Sequence, residues 1–204
     1  VDEVKLLFGD NLFSDPKPTR LIQLLTRIGN VGDQSLVLDF FSGSATTADA
    51  VMRQNLSDGK SRRFILVQLP EGCPKGSEAA KAGYDTLCDV GEERIRRAGK
   101  KITSEFDEAN LQPSFDEEPK IAPDVGFRVL SLDESCFGES DGTQLFDSVI
   151  KEDRSDQDVI MEVMLKWGLE PTLPVERVEA AGYPCWSVAK GELVCCMAEG
   201  LSMG

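Results

Sequence analysis

The chain has 204 residues, of which 41% are hydrophobic and 28% charged, an ordinary balance for a soluble globular protein and enough for one large domain or two small ones. Its net charge of −14 works against direct nucleic-acid binding, and no apolar run approaches the roughly 20 residues of a bilayer helix. It holds six cysteines but no histidine, which excludes Ser-His and Cys-His hydrolases and leaves no ligand set for zinc, so no metal is expected. The cysteines (Cys73, Cys88, Cys136, Cys185, Cys195 and Cys196) contain no CxxC pair. Their irregular spacing fits reduced thiols of a cytoplasmic protein. The N-terminal "VDEVKLLFGD" is not a secretory signal, and a chain opening on Val1 reads as a piece of something longer. The one basic cluster, "RRAGKK" from Arg96 to Lys101, reads as a solvated helix end more readily than as a DNA contact.

In chain order, "GDNLFSDPKPT" is turn chemistry, followed by an amphipathic helix in which Leu21, Leu24, Leu25 and Ile28 recur at helical spacing, with Thr19 as N-cap. "SLVLDFF" is a short continuous apolar run, the mark of a parallel strand buried on both faces. A helix over 46–55 carries Ala48, Val51 and Met52 inward, "SDGKS" turns the chain, and "RFILVQL" is a second buried strand. Residues 78–97 form a further helix interrupted near Gly83. This order predicts a parallel βαβ unit. Residues 103–124 are acidic, Pro-containing and aperiodic, and so read as a linker. A small α+β domain over 125–204 follows: a strand "GFRVLSLD", a helix "DVIMEVMLKWGL", and strands "CWSVA" and "ELVCCMA" around the turn "KGE".

The connection after the first strand, "DFFSGSATT" (39–47), lies at the carboxyl edge of the sheet, where α/β folds bind ligands. Gly43 and its small neighbours let backbone amides approach a ligand, and Thr46 and Thr47 add hydroxyls at a helix start. It is neither a P-loop nor a GxGxxG site, and a compact connection without a ligand stands as the alternative. At the end of strand two, Gln68 and Glu71 stand where nucleotide folds hold the ribose; each also reads as an ordinary loop residue.

The stretch "LDFFSGSATTADAVMRQNLSDGKSRRFILVQLPE" resembles the S-adenosylmethionine-binding segment of DNA amino-methyltransferases, above all the modification subunits of type III restriction-modification systems. "FSDPKPTRLIQLL" resembles the motif that precedes that segment, and "CDVGEERIRRAGKKI" the helix that follows it. The match covers about residues 8–102, and the tail from "MEVMLKWGLEPTLPVE" to "LVCCMAEG" resembles the C-terminal region more loosely. The resemblance implies a partial Rossmann-like S-adenosylmethionine-dependent methyltransferase fold over 1–102. It also implies that Asp39, Phe41, Ser42, Gly43, Ser44, Thr46 and Thr47 line the methionine end of the cofactor. Gln68 and Glu71 would then lie on the ribose side, and Lys17 would close the other wall. Lys17 also reads as a turn lysine held between two prolines. The family loop reads FxGxG, whereas this chain has Ala45 at the last Gly, tolerable if its φ is negative and obstructive if the loop needs φ > 0.

The family transfers a methyl group to an exocyclic base amine, usually adenine N6, with an Asp-Pro-Pro-Tyr-type motif that holds a flipped base. No such motif occurs in this chain; "SDPKP" lacks the adjacent second Pro and the aromatic. The expectation is therefore the C-terminal part of a type III modification subunit, without catalytic residues of its own and inactive alone. DNA is met through an upstream part, with a restriction subunit or a second copy as further partner and no membrane. The alternatives are a scaffold for subunit assembly, or a methyltransferase acting on RNA or a small molecule.

Overall fold

Strand β1 (Leu36–Asp39) pairs in parallel with β2 (Arg63–Leu66), Leu36 opposite Arg63 and Asp39 opposite Leu66, and helix α3 (Thr46–Asp58) makes the crossover between them. The architecture comes from a computed structural model that describes residues 2–110, 121–138 and 150–197. Two compact units divide the chain, residues 1–129 and 130–204. The first is mixed α/β around the small parallel sheet.

Its core forms where α3 meets α5 (Leu87–Asn110): Ala45, Ala48 and Met52 pack on Ile95, Ala98 and Ile102, with Phe64 and Leu66 of β2 against them. α3 ends at Gly59, whose left-handed φ of +68° closes the helix. The buried Arg62 then ties that end to the start of β2, forking onto Asp58 at 3.0 and 2.7 Å and donating to the Val31 carbonyl at 3.0 Å. Short helices α1 (Asp2–Phe8) and α4 (Glu78–Lys81) complete a second cluster, in which Val4, Leu12, Ala79 and Val90 are buried. The break expected near Gly83 falls there, at a φ of +89°.

Four expectations need correction. The parallel strands are buried on one face only: Leu36, Leu38, Ile65 and Val67 are each 44–51% exposed, because the helices that pack on the sheet lie on the side of Phe64 and Leu66. Helix α2 (Thr19–Ile28) packs on α3 through polar residues, the Thr26 hydroxyl donating to Gln54 Oε1 at 2.5 Å, while Leu21, Leu24, Leu25 and Ile28 are exposed. Thr19 is the first residue of α2 rather than its cap; its own N–H and hydroxyl donate to the Glu3 carboxylate at 2.9 and 2.8 Å. "GFRVLSLD" forms no strand, since no edge pairs with it. Val125 and Phe127 instead pack back onto the core, Val125 beside Gly99.

α5 continues to Asn110, eight residues into the segment read as linker, and the first unit extends to Val129. The rest of that segment, 111–120, lies outside the described residues.

The second unit is α+β: helix α6 (Asp156–Lys166) and an antiparallel sheet of β3 (Val175–Ala180), β4 (Tyr183–Val188) and β5 (Leu193–Cys196), in the order β3-β4-β5. Ile160 and Met164 of α6 bury against Val188 and Leu193. Ser155 and Asp158 form a capping box at the start of α6, worth about 1 kcal/mol. Among the described residues no helix is long and apolar enough to cross a membrane.

Candidate functional site

The connection from β1 to α3 is built from two left-handed residues, Gly43 at φ +52° and Ala45 at φ +56°, on either side of Ser44. Two bends in three residues fold the chain back on itself, so α3 starts directly under the end of β1. Phe13 covers the outer side: a Cβ on Gly43 would stand 3.1 Å from Phe13 Cζ. Gly91 of α5 underlies the inner side, where an added Cβ would meet the Gly43 carbonyl at 3.4 Å and the Ala45 Cβ at 3.6 Å. Ala45 has the positive φ that disfavours alanine, but its methyl is directed into the core and is 2% exposed.

Polar groups of the outer turn are clamped to the strand ends. Asp39 accepts from the Thr47 hydroxyl at 2.6 Å and from the Phe41 amide at 3.2 Å. The Ser42 amide donates to the Val67 carbonyl at 3.2 Å, and the Gly43 amide to Gln68 Oε1 at 2.8 Å. Gln68 thus behaves as the structural amide that its position also permitted, bridging the loop to Leu69. The inner turn is held from below. The fully buried Arg94 donates through Nη1 to the Ser44 hydroxyl at 2.9 Å and the Thr46 hydroxyl at 2.7 Å, and through Nη2 to Asp49 at 3.1 Å.

The ten residues singled out in the sequence therefore separate. Asp39, Phe41, Ser42, Gly43 and Gln68 come together at the open edge, with Phe41 83% exposed. Ser44, Thr46 and Thr47 are buried, and their hydroxyls are engaged within the protein. Glu71 is exposed on the segment beyond β2, which closes onto the start of α5 through its carbonyl and the Leu87 amide at 2.9 Å. Lys17 is exposed between Pro16 and Pro18, four residues after Phe13. The sequence does not single out Phe13 or Arg94; of the three arginines in "EERIRRAG", nothing in the string shows that Arg94 rather than Arg96 or Arg97 turns inward.

What remains open at the edge has a definite chemistry. Ala45, the N-cap residue of α3, provides no side-chain cap, and the first residues of the helix are buried, with the Arg94 guanidinium bonded to the Thr46 hydroxyl. A half-buried carboxylate, Asp39, beside two exposed phenyl rings, Phe40 and Phe41, suits a cationic group. Neither neighbouring thiol is an activated nucleophile: burial first, then Asp89, pushes both Cys73 and Cys88 up. The basic cluster is not the helix end expected of it, since α5 runs on to Asn110; it lies along that helix, where Arg96 pairs with Glu92 and Glu93, and Arg97 pairs with Glu93 and lies over Phe8.

No protein-family model matches the chain. It is 34% identical over 192 residues to the type III restriction-modification enzyme EcoPI Mod subunit of Escherichia phage P1, a match covering 89% of this chain and 27% of that one. It is 41% identical over 113 residues to the StyLTI Mod subunit of Salmonella typhimurium, covering 55% of this chain and 17% of the relative. Over most of its length the chain is similar to the modification subunits of type III restriction-modification enzymes. It spans about a quarter of the length of the EcoPI subunit. A type II methyltransferase, KpnI of Klebsiella pneumoniae, is also similar, 34% identical over 94 residues, or 46% of this chain and 22% of that one.

Proposed function

We propose that the chain is the cofactor-binding, C-terminal part of an S-adenosylmethionine-dependent, adenine-N6-specific DNA methyltransferase of a type III restriction-modification system. On this reading its first unit is part of a Rossmann-like fold, and the whole protein works in the cytoplasm on DNA, beside a restriction subunit or a second copy. The observation that carries the reading is the doubled left-handed turn between β1 and α3, which sets Asp39 and the exposed Phe41 at one sheet edge. The residues fit the group. The Asp39 carboxylate is suited to its cationic end, and the exposed Phe41 ring to its sulfonium or its base. Glu71 and Gln68 stand on the ribose side, and Lys17 beside the opposite wall. Bound there, S-adenosylmethionine would supply an electrophilic methyl group.

The chain's own residues then bind and orient, and nothing in its sequence grips an acceptor base: there is no Asp-Pro-Pro-Tyr-type motif, and the net charge is −14. The half-exposed apolar face of the parallel sheet supports a further layer of polypeptide over it, because such sheets are ordinarily covered on both sides. Acceptor binding and DNA contact are assigned to that layer.

Calorimetry with S-adenosylmethionine tests the cofactor reading. Wild type should bind, and Asp39→Ala should weaken binding about tenfold or more while remaining folded. Incubation with labelled cofactor and unmethylated DNA should give no transfer by the chain alone; transfer above background contradicts that part. A second reading, a scaffold for subunit assembly, is favoured by one observation: Phe13 covers Gly43, and the loop hydroxyls already have internal partners. A folded sample that gives no heat with cofactor yet binds a restriction subunit would decide for it.

A further inference from the structure

We propose that Arg94 is a positioning residue that couples the two walls of the cofactor site, an inference that rests on the cofactor reading above. Its Nη1 holds the inner loop, through the Ser44 carbonyl at 3.3 Å and the hydroxyls of Ser44 and Thr46. Its Nη2 bonds Asp49 and lies 3.7 Å from Glu3 Oε2. The Glu3 carboxylate accepts both the amide and the hydroxyl of Thr19, the residue that directly follows Pro16-Lys17-Pro18. One guanidinium therefore links the loop at 44–46 to the start of α2, and so to the Lys17 segment.

The chemistry of the site explains why arginine stands there. Arg94 is 0% exposed and Asp49 1%, and a buried ion pair is seldom more stable than a well-packed apolar pair of similar volume. What the charge contributes is direction. A planar fork serves hydroxyls on one side and carboxylates on the other at fixed angles, which the single ammonium of a lysine cannot do. Glu3 is the weaker link because its side chain is 34% exposed, so the loop side of the hub is held more firmly than the α2 side. The arrangement predicts a hierarchy: disturbing Arg94 loosens both walls, disturbing Glu3 only one.

Hydrogen exchange on Arg94→Lys and Glu3→Gln tests this, beside S-adenosylmethionine affinity and global stability. Arg94→Lys should speed exchange of the amides at 43–48 and at 19–22 about tenfold, with β1 and β2 unchanged, and weaken cofactor binding by a similar factor. Glu3→Gln should speed exchange only at 19–22. A merely structural arginine would change exchange throughout the first unit in proportion to global stability. That outcome overturns the proposal, as does Arg94→Lys with both walls protected as in wild type, or Glu3→Gln loosening both. Should Arg94→Lys fail to fold, Glu3→Gln carries the test: selective loosening at 19–22 with weakened cofactor binding supports the coupling, and no change overturns it. The predicted exchange pattern in the variants, with a wild type that binds no cofactor, would support the coupling and defeat the cofactor reading separately.

Discussion

Gly43 and Ala45 share a left-handed backbone but differ in what a methyl group would do. At Gly43 an added methyl incurs the left-handed penalty, about 1–2 kcal/mol, and presses on Phe13 at 3.1 Å. Gly43→Ala should therefore lower stability by about 1–2 kcal/mol in urea denaturation. At Ala45 the same penalty is already present. Relieving it with glycine removes a buried methyl, about 0.8 kcal/mol, and adds unfolded-chain entropy, about 0.5–1 kcal/mol. Ala45→Gly should be nearly neutral, and a loss above about 2 kcal/mol would show that the methyl supports more than the core contact seen here. The sequence marked this loop correctly, because a small-residue turn between an apolar run and a helical pattern has few other meanings. Which hydroxyls face inward was not legible: it depends on Arg94, some 50 residues away in the chain, folding beneath Ser44 and Thr46.

Among the elements, those whose partners lie close in sequence were readable. α3, β1, β2 and the break at Gly83 follow from local pattern, as do β4 and β5 around their turn. β3 escaped notice because Glu176, Arg177 and Glu179 interrupt its apolar pattern; the signal present was Ala181–Gly182, both at positive φ in the tight turn to β4. α2 was recognised as amphipathic, but no local rule told that its leucines face outward. Since they touch little, Leu24→Glu with Ile28→Glu should change stability by no more than about 0.5 kcal/mol while reducing self-association in sedimentation.

α6 makes a pH prediction. Lys166 first, then the Ser135 hydroxyl at 2.5 Å and the Cys136 amide at 2.5 Å, hold the Glu162 carboxyl down to about 2 from an ordinary 4.5, against the opposing effect of burial. A depressed carboxyl stabilises the fold fully above its unfolded value and loses that contribution as pH falls towards its folded one. The second unit should therefore weaken between about pH 4.5 and 2. Trp167 and Trp186, the two tryptophans of the chain, both lie in that unit, so fluorescence-monitored urea titrations report it selectively. Glu162→Gln should flatten the dependence in that window; an unchanged slope would assign it to Asp133 and Asp158, whose carboxyls are also held low, by Arg154 and by Ser155 respectively.

For the whole molecule, the first unit combines a well-built loop with an uncovered sheet face. Leu36, Leu38 and Ile65, with Phe40, Val67 and Leu69 beyond the strands, each give up about 1 kcal/mol of burial by remaining 44% exposed or more. That pattern suits a piece of a larger sheet, and the chain's share of its EcoPI relative, 27%, agrees with it. The sequence announced parallel strands through their continuous apolar runs, but such runs do not tell whether the second covering layer is in the same chain. Cofactor binding is therefore the claim on which the account depends. Amide chemical shifts recorded while S-adenosylhomocysteine is added examine it residue by residue. The account predicts saturable shifts at 39–47 and 68–71, with residues 150–197 unmoved; a folded sample showing no shifts up to millimolar ligand, or shifts confined elsewhere, would contradict it.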